Sequence, residues 1–285
     1  MLRGCYTVPE VLIDGIRLYY ESTGAGVPIV FAHEFAGDFT SWELQVRFFS
    51  RKYRVVTYNA RGFPPSSVPE NLSDYSQDIA TNDLAGSIKR LDLAPAHIVG
   101  TSMGAYTAVH LGLRYPQLAR SIVVASCGYG SEPEGGKGFQ HECLKLADLL
   151  ETRGIEEFTN VYAPGPSRAE LKRKDTRGFS EFVQRLRTQS IKGLANTLRG
   201  VQAARPSVYD LKEGLQKMET PTLILAGDSD GPCLMPSIFL KQTIPNSALA
   251  FFPDSGHMVN LEEPILFYNL VQNFITQVDC EERYF

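Results

Sequence analysis

Three residues that lie far apart in the sequence could together perform nucleophilic catalysis. Ser102 lies in the segment Gly-Thr-Ser-Met-Gly, and Asp230 and His257 each follow an apolar segment. A serine hydroxyl becomes a good nucleophile when a histidine removes its proton, and a carboxylate helps by orienting the ring and stabilising its cation. These residue types therefore predict acyl transfer through a serine.

The segment around Ser102 predicts a strand, a sharp turn and a helix. Residues 97–99 are typical of a buried strand, and residues 104–115 have apolar side chains at helical spacing as far as Pro116. A turn this tight holds the serine in a sparsely populated backbone conformation, and the flanking glycines remove side chains that would collide. We expect the hydroxyl of Ser102 at the N-terminus of a helix, whose dipole favours developing negative charge.

Asp230 and His257 follow two successive predicted strands. Such loops emerge at the carboxyl edge of a parallel sheet, where the Ser102 turn also emerges, so the three residues should converge. Each has an ordinary alternative. Asp230 could be a turn residue, His257 could be a loop histidine satisfied by the backbone, and Asp228 is a second candidate for the acid.

The other histidines compete for the role of the base. His97 begins a strand and His110 lies within a helix, so both are expected to pack rather than to react. His33 follows a buried strand. His141 lies in a later helical region, where it is expected on the surface unless it touches the substrate.

The order of elements predicts an α/β fold with a mostly parallel central sheet flanked by helices. A hairpin with the turn Asp14-Gly15 comes first, followed by alternating helices and buried strands. Parallel strands need cover on both faces of the sheet. The predicted strands are 28–32, 53–58, 97–99, 121–126, 221–226 and 248–252, and the predicted helices of this part are 41–49, 75–91, 104–115, 235–242 and 264–278.

A long interruption separates two of these strands. Residues 127–216 show no buried strand but several helical patterns, at 139–152, 155–162, 179–190 and 191–203. We expect an inserted helical cap at 131–216 between core parts 1–130 and 217–285. Within it, Ser167 to Glu170 has capping-box spacing, and residues 172–174 form a basic run expected on a solvated face, with recognition of a charged substrate as the alternative.

Composition excludes several classes of function. The chain has 285 residues, 43% of them hydrophobic, and a formal net charge of −4, which gives no electrostatic case for binding nucleic acid or an anionic membrane. The five scattered cysteines predict reduced thiols. No secretion signal or apolar run of membrane-spanning length occurs, so a soluble cytoplasmic protein is expected.

No cofactor or metal is predicted. His33 and Glu34 form an isolated pair of possible ligands, without further ones nearby in sequence. The glycines at 24–26 precede a strand, whereas a phosphate-binding loop follows one.

The whole chain resembles the α/β-hydrolase superfamily, with the residues in the order serine, acid, histidine. Residues 100–104 resemble the nucleophile elbow, 227–230 the acid loop, 255–264 the histidine loop and 59–62 the arginine-glycine loop of that family. The resemblance implies a triad of Ser102, Asp230 and His257, and a cap inserted after the sixth strand.

The resemblance also implies an oxyanion hole made by the backbone N–H groups of Phe35 and Met103. The chain departs from the family at His33-Glu34, where His-Gly is usual. Glutamate tolerates the backbone angles of glycine poorly, and its charge would repel an oxyanion. We therefore expect Glu34 to point away from the pocket, either as a solvated or hydrogen-bonded loop residue or in a role that positions substrate or water.

The predicted function is hydrolysis of an ester or lactone of a small apolar acid. His33, Glu34, Tyr129 and His141 are candidate substrate contacts. One alternative is hydrolysis of a carbon–carbon bond in a vinylogous diketone, and another is a ligand receptor that keeps the triad but turns over slowly. The expected partner is a small molecule, and the chain could be a monomer or a homodimer.

Overall fold

An eight-stranded sheet runs through the part of the chain that the computed structural model describes, residues 9–132 and 136–281. The strand order is β1-β2-β4-β3-β5-β6-β7-β8. Strands β3 to β8 pair in parallel, and β1 and β2 add an antiparallel edge. The predicted fold class is confirmed. The strands are β1 (Glu10–Ile13), β2 (Ile16–Thr23), β3 (Pro28–Ala32), β4 (Arg54–Tyr58), β5 (Ala96–Thr101), β6 (Ala119–Ala125), β7 (Thr222–Gly227) and β8 (Ser247–Phe252).

Helices lie between the strands and in one long insertion. Those that connect or follow the strands are α1 (Glu43–Phe49), α2 (Gln77–Arg90), α3 (Met103–Arg114), α9 (Gly231–Thr243), α10 (Val259–Glu262) and α11 (Pro264–Glu281). Between β6 and β7 come α4 (Gly136–Tyr162), α5 (Ala169–Lys174), α6 (Thr176–Arg187), α7 (Ile191–Thr197) and α8 (Lys212–Leu215).

Both faces of the sheet are buried because its central strands alternate their side chains between two apolar clusters. In β5, Ile98 packs into the cluster that contains residues of α2 and α3, and Val99 packs into the cluster that contains residues of α11. This sandwich fixes the carboxyl ends of the parallel strands, where the candidate site lies.

The insertion between β6 and β7 packs over that edge of the sheet. A third apolar cluster joins Phe158 and Leu194 of the insertion to Phe35 and Met103 of the core. Helix α4 is interrupted at Gly154, whose φ is +81°, which agrees with the predicted break between two helices. The cap boundaries at 131 and 216 stay a prediction, and residues 133–135 lie outside the described ranges.

Two interpretations of the cap sequence need correction. The capping box at Ser167 does not form, because a 3₁₀ turn, Pro166–Arg168, precedes α5 and no side chain caps that helix. The basic run is more than a solvated face. Lys174 is only partly exposed and donates hydrogen bonds to Ser255 and Glu263 of the core.

The four cysteines that the structure describes have free thiols, three of them buried, and Cys5 lies outside the described residues. Within the described ranges, no helix has both the length and the apolar character needed to cross a bilayer.

Candidate active site

Ser102 occupies a strained turn between β5 and α3. Its φ of +52° and ψ of −111° lie outside the regions that non-glycine residues usually adopt, and it occupies the N-cap position of α3 without a capping hydrogen bond from its side chain. A Cβ on Gly104 would lie 2.1 Å from the carbonyl oxygen of Ala32, and one on Gly100 would lie 2.2 Å from the oxygen of Gly104. Because neither glycine has a Cβ, the start of α3 can pack directly against the ends of β3 and β5.

The ring of His257 is oriented by Asp230. Nδ1 of His257 donates to Oδ2 of Asp230 over 2.8 Å, and both side chains are buried. An Nδ1 that donates leaves Nε2 free to accept a proton. Burial by itself would raise the pKa of Asp230, but the charge and hydrogen bond of His257 outweigh it and lower that pKa, so the carboxylate remains ionised.

Asp228, the other candidate for the acid, has a different task. Its exposed carboxylate accepts the backbone N–H groups of Asp254 at 2.9 Å and Ser255 at 3.1 Å. These two hydrogen bonds lower the pKa of Asp228. The geometry therefore supports Asp230 as the partner of His257. Asp228 instead holds the backbone of the loop that precedes His257.

A second carboxylate that the sequence did not single out holds the other side of that loop. Glu262 is buried and accepts the backbone N–H groups of Gly256 at 2.5 Å and Met258 at 2.9 Å, on either side of His257. Glu262 lies within the histidine loop of the sequence, residues 255–264, and that was the one signal for its role. The sequence does not show in which direction its carboxylate points.

Ser102 and His257 line one cavity of about 220 Å³ between core and cap. Within the described ranges no hydrogen bond joins the two side chains. Such contacts are often long before substrate binds. The other lining residues are mostly apolar or aromatic and include Phe35, Tyr129, Phe139, Leu146, Val161, Tyr162 and Leu198.

The two N–H groups expected to bind an oxyanion are available. Met103 is the first residue of α3, where no helical partner exists for its N–H. Phe35 lies in the loop after β3, and its side chain lines the cavity. Neither N–H donates to another group among the residues that the structure describes.

Glu34 is buried and faces the cap instead of solvent. Its carboxylate pairs with the guanidinium of Arg168, which is also buried and lines the cavity. Burial raises the pKa of the Glu34 carboxyl, and the charge of Arg168 opposes that rise. Glu34 has no positive φ, so the expected conflict with a glycine backbone does not arise.

The remaining predicted substrate contacts separate into three groups. Tyr129 lines the cavity. His33 is buried away from that cavity; its Nδ1 donates to the carbonyl of Glu34 at 2.7 Å and its Nε2 accepts the N–H of Ala60 at 3.0 Å, so it braces the loop. Burial lowers the pKa of His33, consistent with a neutral ring. His141 is exposed on α4 outside the cavity, and the structure does not support it as a substrate contact.

One group of possible metal ligands occurs in the described chain. Ligand atoms of Asp230, Cys233 and His257 lie within 4.8 Å of one another. Two of these residues already share a hydrogen bond, and burial raises the pKa of the Cys233 thiol well above its usual value. A metal ion here would need a deprotonated thiol and would break the pairing that orients His257.

Comparisons with known proteins agree with this fold. Residues 27–264 match the family model described as "alpha/beta hydrolase fold", and the chain belongs to that family. 3-Oxoadipate enol-lactonase 1 of Acinetobacter baylyi is 28% identical over 254 residues, which cover 88% of this chain and 89% of that protein. 2-Hydroxymuconate semialdehyde hydrolase of Pseudomonas sp. CF600 is 23% identical over 282 residues, with 95% and 94% covered.

Among solved structures, the enol-lactonase from Burkholderia xenovorans LB400 has a TM-score of 0.82 with 22% identity, covering 94% of this chain and all of that one. At that identity the likeness concerns the fold. The named relatives are hydrolases, and this chain is an α/β-fold hydrolase.

Proposed function

We propose that this protein hydrolyses an ester or lactone of a small carboxylic acid through an acyl-enzyme on Ser102. The observation that carries the proposal is the hydrogen bond of 2.8 Å between His257 and Asp230, at a cavity that Ser102 also lines. The cavity volume of about 220 Å³ suits a small molecule, and its apolar walls suit a carbon chain.

In the first half of the reaction, Nε2 of His257 accepts the proton of Ser102 as the serine oxygen attacks the carbonyl carbon. The negative oxygen of the tetrahedral intermediate accepts the N–H groups of Phe35 and Met103. Each such donor contributes about 3 kcal/mol to the transition state. The intermediate collapses when the carbon–oxygen bond to the leaving group breaks and His257 returns the proton to the departing alcohol.

In the second half, His257 accepts a proton from water, whose oxygen attacks the acyl carbon. The bond to Ser102 breaks, the serine regains its proton, and the acid leaves. Asp230 remains ionised throughout and stabilises the imidazolium, in agreement with the lowered pKa of its carboxyl.

The test is turnover of short p-nitrophenyl esters and small lactones. Ser102→Ala should lower kcat by at least about 1,000-fold because it removes the nucleophile. Ser167→Ala is the matched control, since Ser167 lines the same cavity without a place in the proposed chemistry. Retention of full activity in Ser102→Ala would refute the proposal.

Hydrolysis of a carbon–carbon bond is a second candidate, supported by the relative that is a 2-hydroxymuconate semialdehyde hydrolase. The same residues could serve it, with an enol or ketone carbon as the leaving group. A vinylogous diketone assayed beside the esters separates the two, because the true substrate class should show a kcat/KM higher by orders of magnitude.

A further inference from the structure

Arg205 brings a positive charge to the cavity that Ser102 and His257 line. No carboxylate of the described residues lies within ion-pair distance of its guanidinium. The other arginine of the cavity, Arg168, is paired with Glu34. Because a partly buried charge without a counter-ion is unfavourable, an unmatched arginine at a ligand cavity points to an anion that arrives with the ligand.

The Arg205 side chain is held in one position by neutral groups. Its Nη2 donates to the carbonyl of Tyr129 at 2.8 Å, its Nη1 donates to Oε1 of Gln202, and its guanidinium lies 3.8 Å from the ring centroid of Tyr106. These contacts, together with the ring of Phe139 at 5.1 Å, hold the planar group and stabilise a cation, but none of them supplies a negative charge. A guanidinium has five N–H donors, so others remain for a ligand.

Arg205 is connected to the proposed nucleophile, Ser102, through Tyr106. Tyr106, on which the guanidinium stacks, lies one helical turn after Ser102, and its N–H donates to the carbonyl of Ser102 at 3.0 Å. Arg205 and Ser102 also line the same cavity, so one small ligand can contact both residues.

The carboxylates of Glu142, Asp230 and Glu34 lie near the cavity, but none of the three serves as the counter-ion of Arg205. Glu142 is exposed on α4, and its carboxylate accepts the hydroxyl of Tyr129 at 3.5 Å without an ion pair to Arg205. Asp230 is engaged with His257, and Glu34 with Arg168. The rest of the cavity lining is largely apolar, which suits a short carbon chain that carries one charge.

We propose that Arg205 binds a carboxylate of the substrate, so that the ester or lactone cleaved at Ser102 carries a second, free carboxylate. This inference rests on the proposed function and deepens it by naming the substrate class. The planar fork of arginine matches the two oxygens of a carboxylate, and one guanidinium balances its single charge.

The test compares p-nitrophenyl monoesters of succinic, glutaric and adipic acids with p-nitrophenyl esters of uncharged acids of equal chain length. The wild type should prefer at least one anionic ester. Arg205→Gln should lower kcat/KM for that ester about 10- to 100-fold, the range for a lost charge-assisted hydrogen bond, and change the uncharged ester less than about threefold. Arg205→Lys should retain part of the preference.

Arg199→Gln is the matched control, because Arg199 belongs to the same cap segment but pairs with Asp148 and Glu151 outside the cavity. It should leave the preference unchanged. Equal losses on charged and uncharged esters in Arg205→Gln would show a structural role and overturn the proposal. A wild type without preference for any of the three anionic esters would overturn it as well.

A binding measurement separates this inference from the proposed function. Calorimetry of Ser102→Ala with succinate, glutarate and adipate should show binding of at least one, weaker at high salt and lost when Arg205→Gln is added. If Ser102→Ala still hydrolysed esters at the wild-type rate, the proposed function would fail while this measurement still decided the role of Arg205. Absence of binding of all three dicarboxylates would refute the carboxylate site.

Discussion

Glu34 and Arg168 form a buried ion pair that joins the loop after β3 to the cap. Glu34 directly precedes Phe35, whose N–H is a candidate oxyanion donor, and Arg168 lines the cavity. The guanidinium also lies over the rings of Phe182 and Tyr162, at 5.0 and 5.7 Å from their centroids. The pair therefore fixes the oxyanion loop and the cap with respect to each other.

The first prediction concerns the stability that this pair provides. Glu34→Gln should lower the free energy of unfolding by about 3 kcal/mol, because it leaves the charge of Arg168 buried without a partner. Urea denaturation measures this. Arg177→Gln, which breaks the exposed pair with Glu181, should cost less than about 0.5 kcal/mol.

The double variant Glu34→Gln/Arg168→Met should recover much of the loss, since it removes the unpaired charge. Similar small effects of Glu34→Gln and Arg177→Gln would show that burial adds nothing to this pair.

The second prediction separates the two aspartates of the acid loop. Asp230→Asn should lower kcat by about 1,000- to 10,000-fold, because the amide cannot stabilise the imidazolium and favours the wrong ring tautomer. Asp228→Asn should lower kcat less than about tenfold, since the Asp228 carboxylate accepts hydrogen bonds from Ser229 and from the backbone of the histidine loop and not from the His257 ring. Steady-state kinetics with one activated ester is sufficient. The reverse order of effects would transfer the acid role to Asp228.

The sequence was sufficient where structure depends on neighbours along the chain. Strand β3 has the predicted bounds, the Asp14-Gly15 turn has the expected positive φ at both residues, and the Ser102 turn joins the expected strand and helix. The alternation of apolar residues, the turn residues and the helical spacing are local signals, so they can be interpreted without knowledge of the fold.

The sequence was not sufficient where a side chain finds a partner far along the chain. Glu34 pairs with a residue 134 positions away, so neither its burial nor its partner follows from the local pattern. The helix predicted from residue 41 is preceded by a 3₁₀ turn, Phe39–Trp42, which Asp38 caps. Arg205 belongs to no motif, and only folding brings it to the cavity.

The third prediction tests the close packing behind the nucleophile. Gly104→Ala places a Cβ 2.1 Å from the backbone oxygen of Ala32, so β3 and α3 must move apart and shift the two candidate oxyanion donors. We expect a loss of about 100-fold or more in kcat/KM and a destabilisation of about 2 kcal/mol. Gly138→Ala, at an open position of α4, is the control and should leave activity unchanged. Normal activity in Gly104→Ala would mean that the donors do not depend on this contact.

The last prediction concerns the pH dependence of stability. Burial lowers the pKa of His97 and of His110 to about 4, whereas an unfolded histidine titrates near 6.5. Between these values the unfolded chain binds more protons than the folded one, so the free energy of unfolding falls as the pH falls from 6.5 to 4. Each of these histidines contributes up to about 3 kcal/mol to the decline, which ends below pH 4.

His110→Gln tests one of these contributions in isolation. His110 faces the charges of Asp78, Arg114 and Arg205, but desolvation is the largest cause of its lowered pKa. Urea denaturation at pH 7 and pH 4.5 should show a decline smaller than that of the wild type by about 2 kcal/mol. His141→Gln, which removes an exposed histidine, should leave the decline as in the wild type. If both variants declined like the wild type, protonation of His110 would not be coupled to unfolding, because a group that titrates alike in both states contributes no pH dependence.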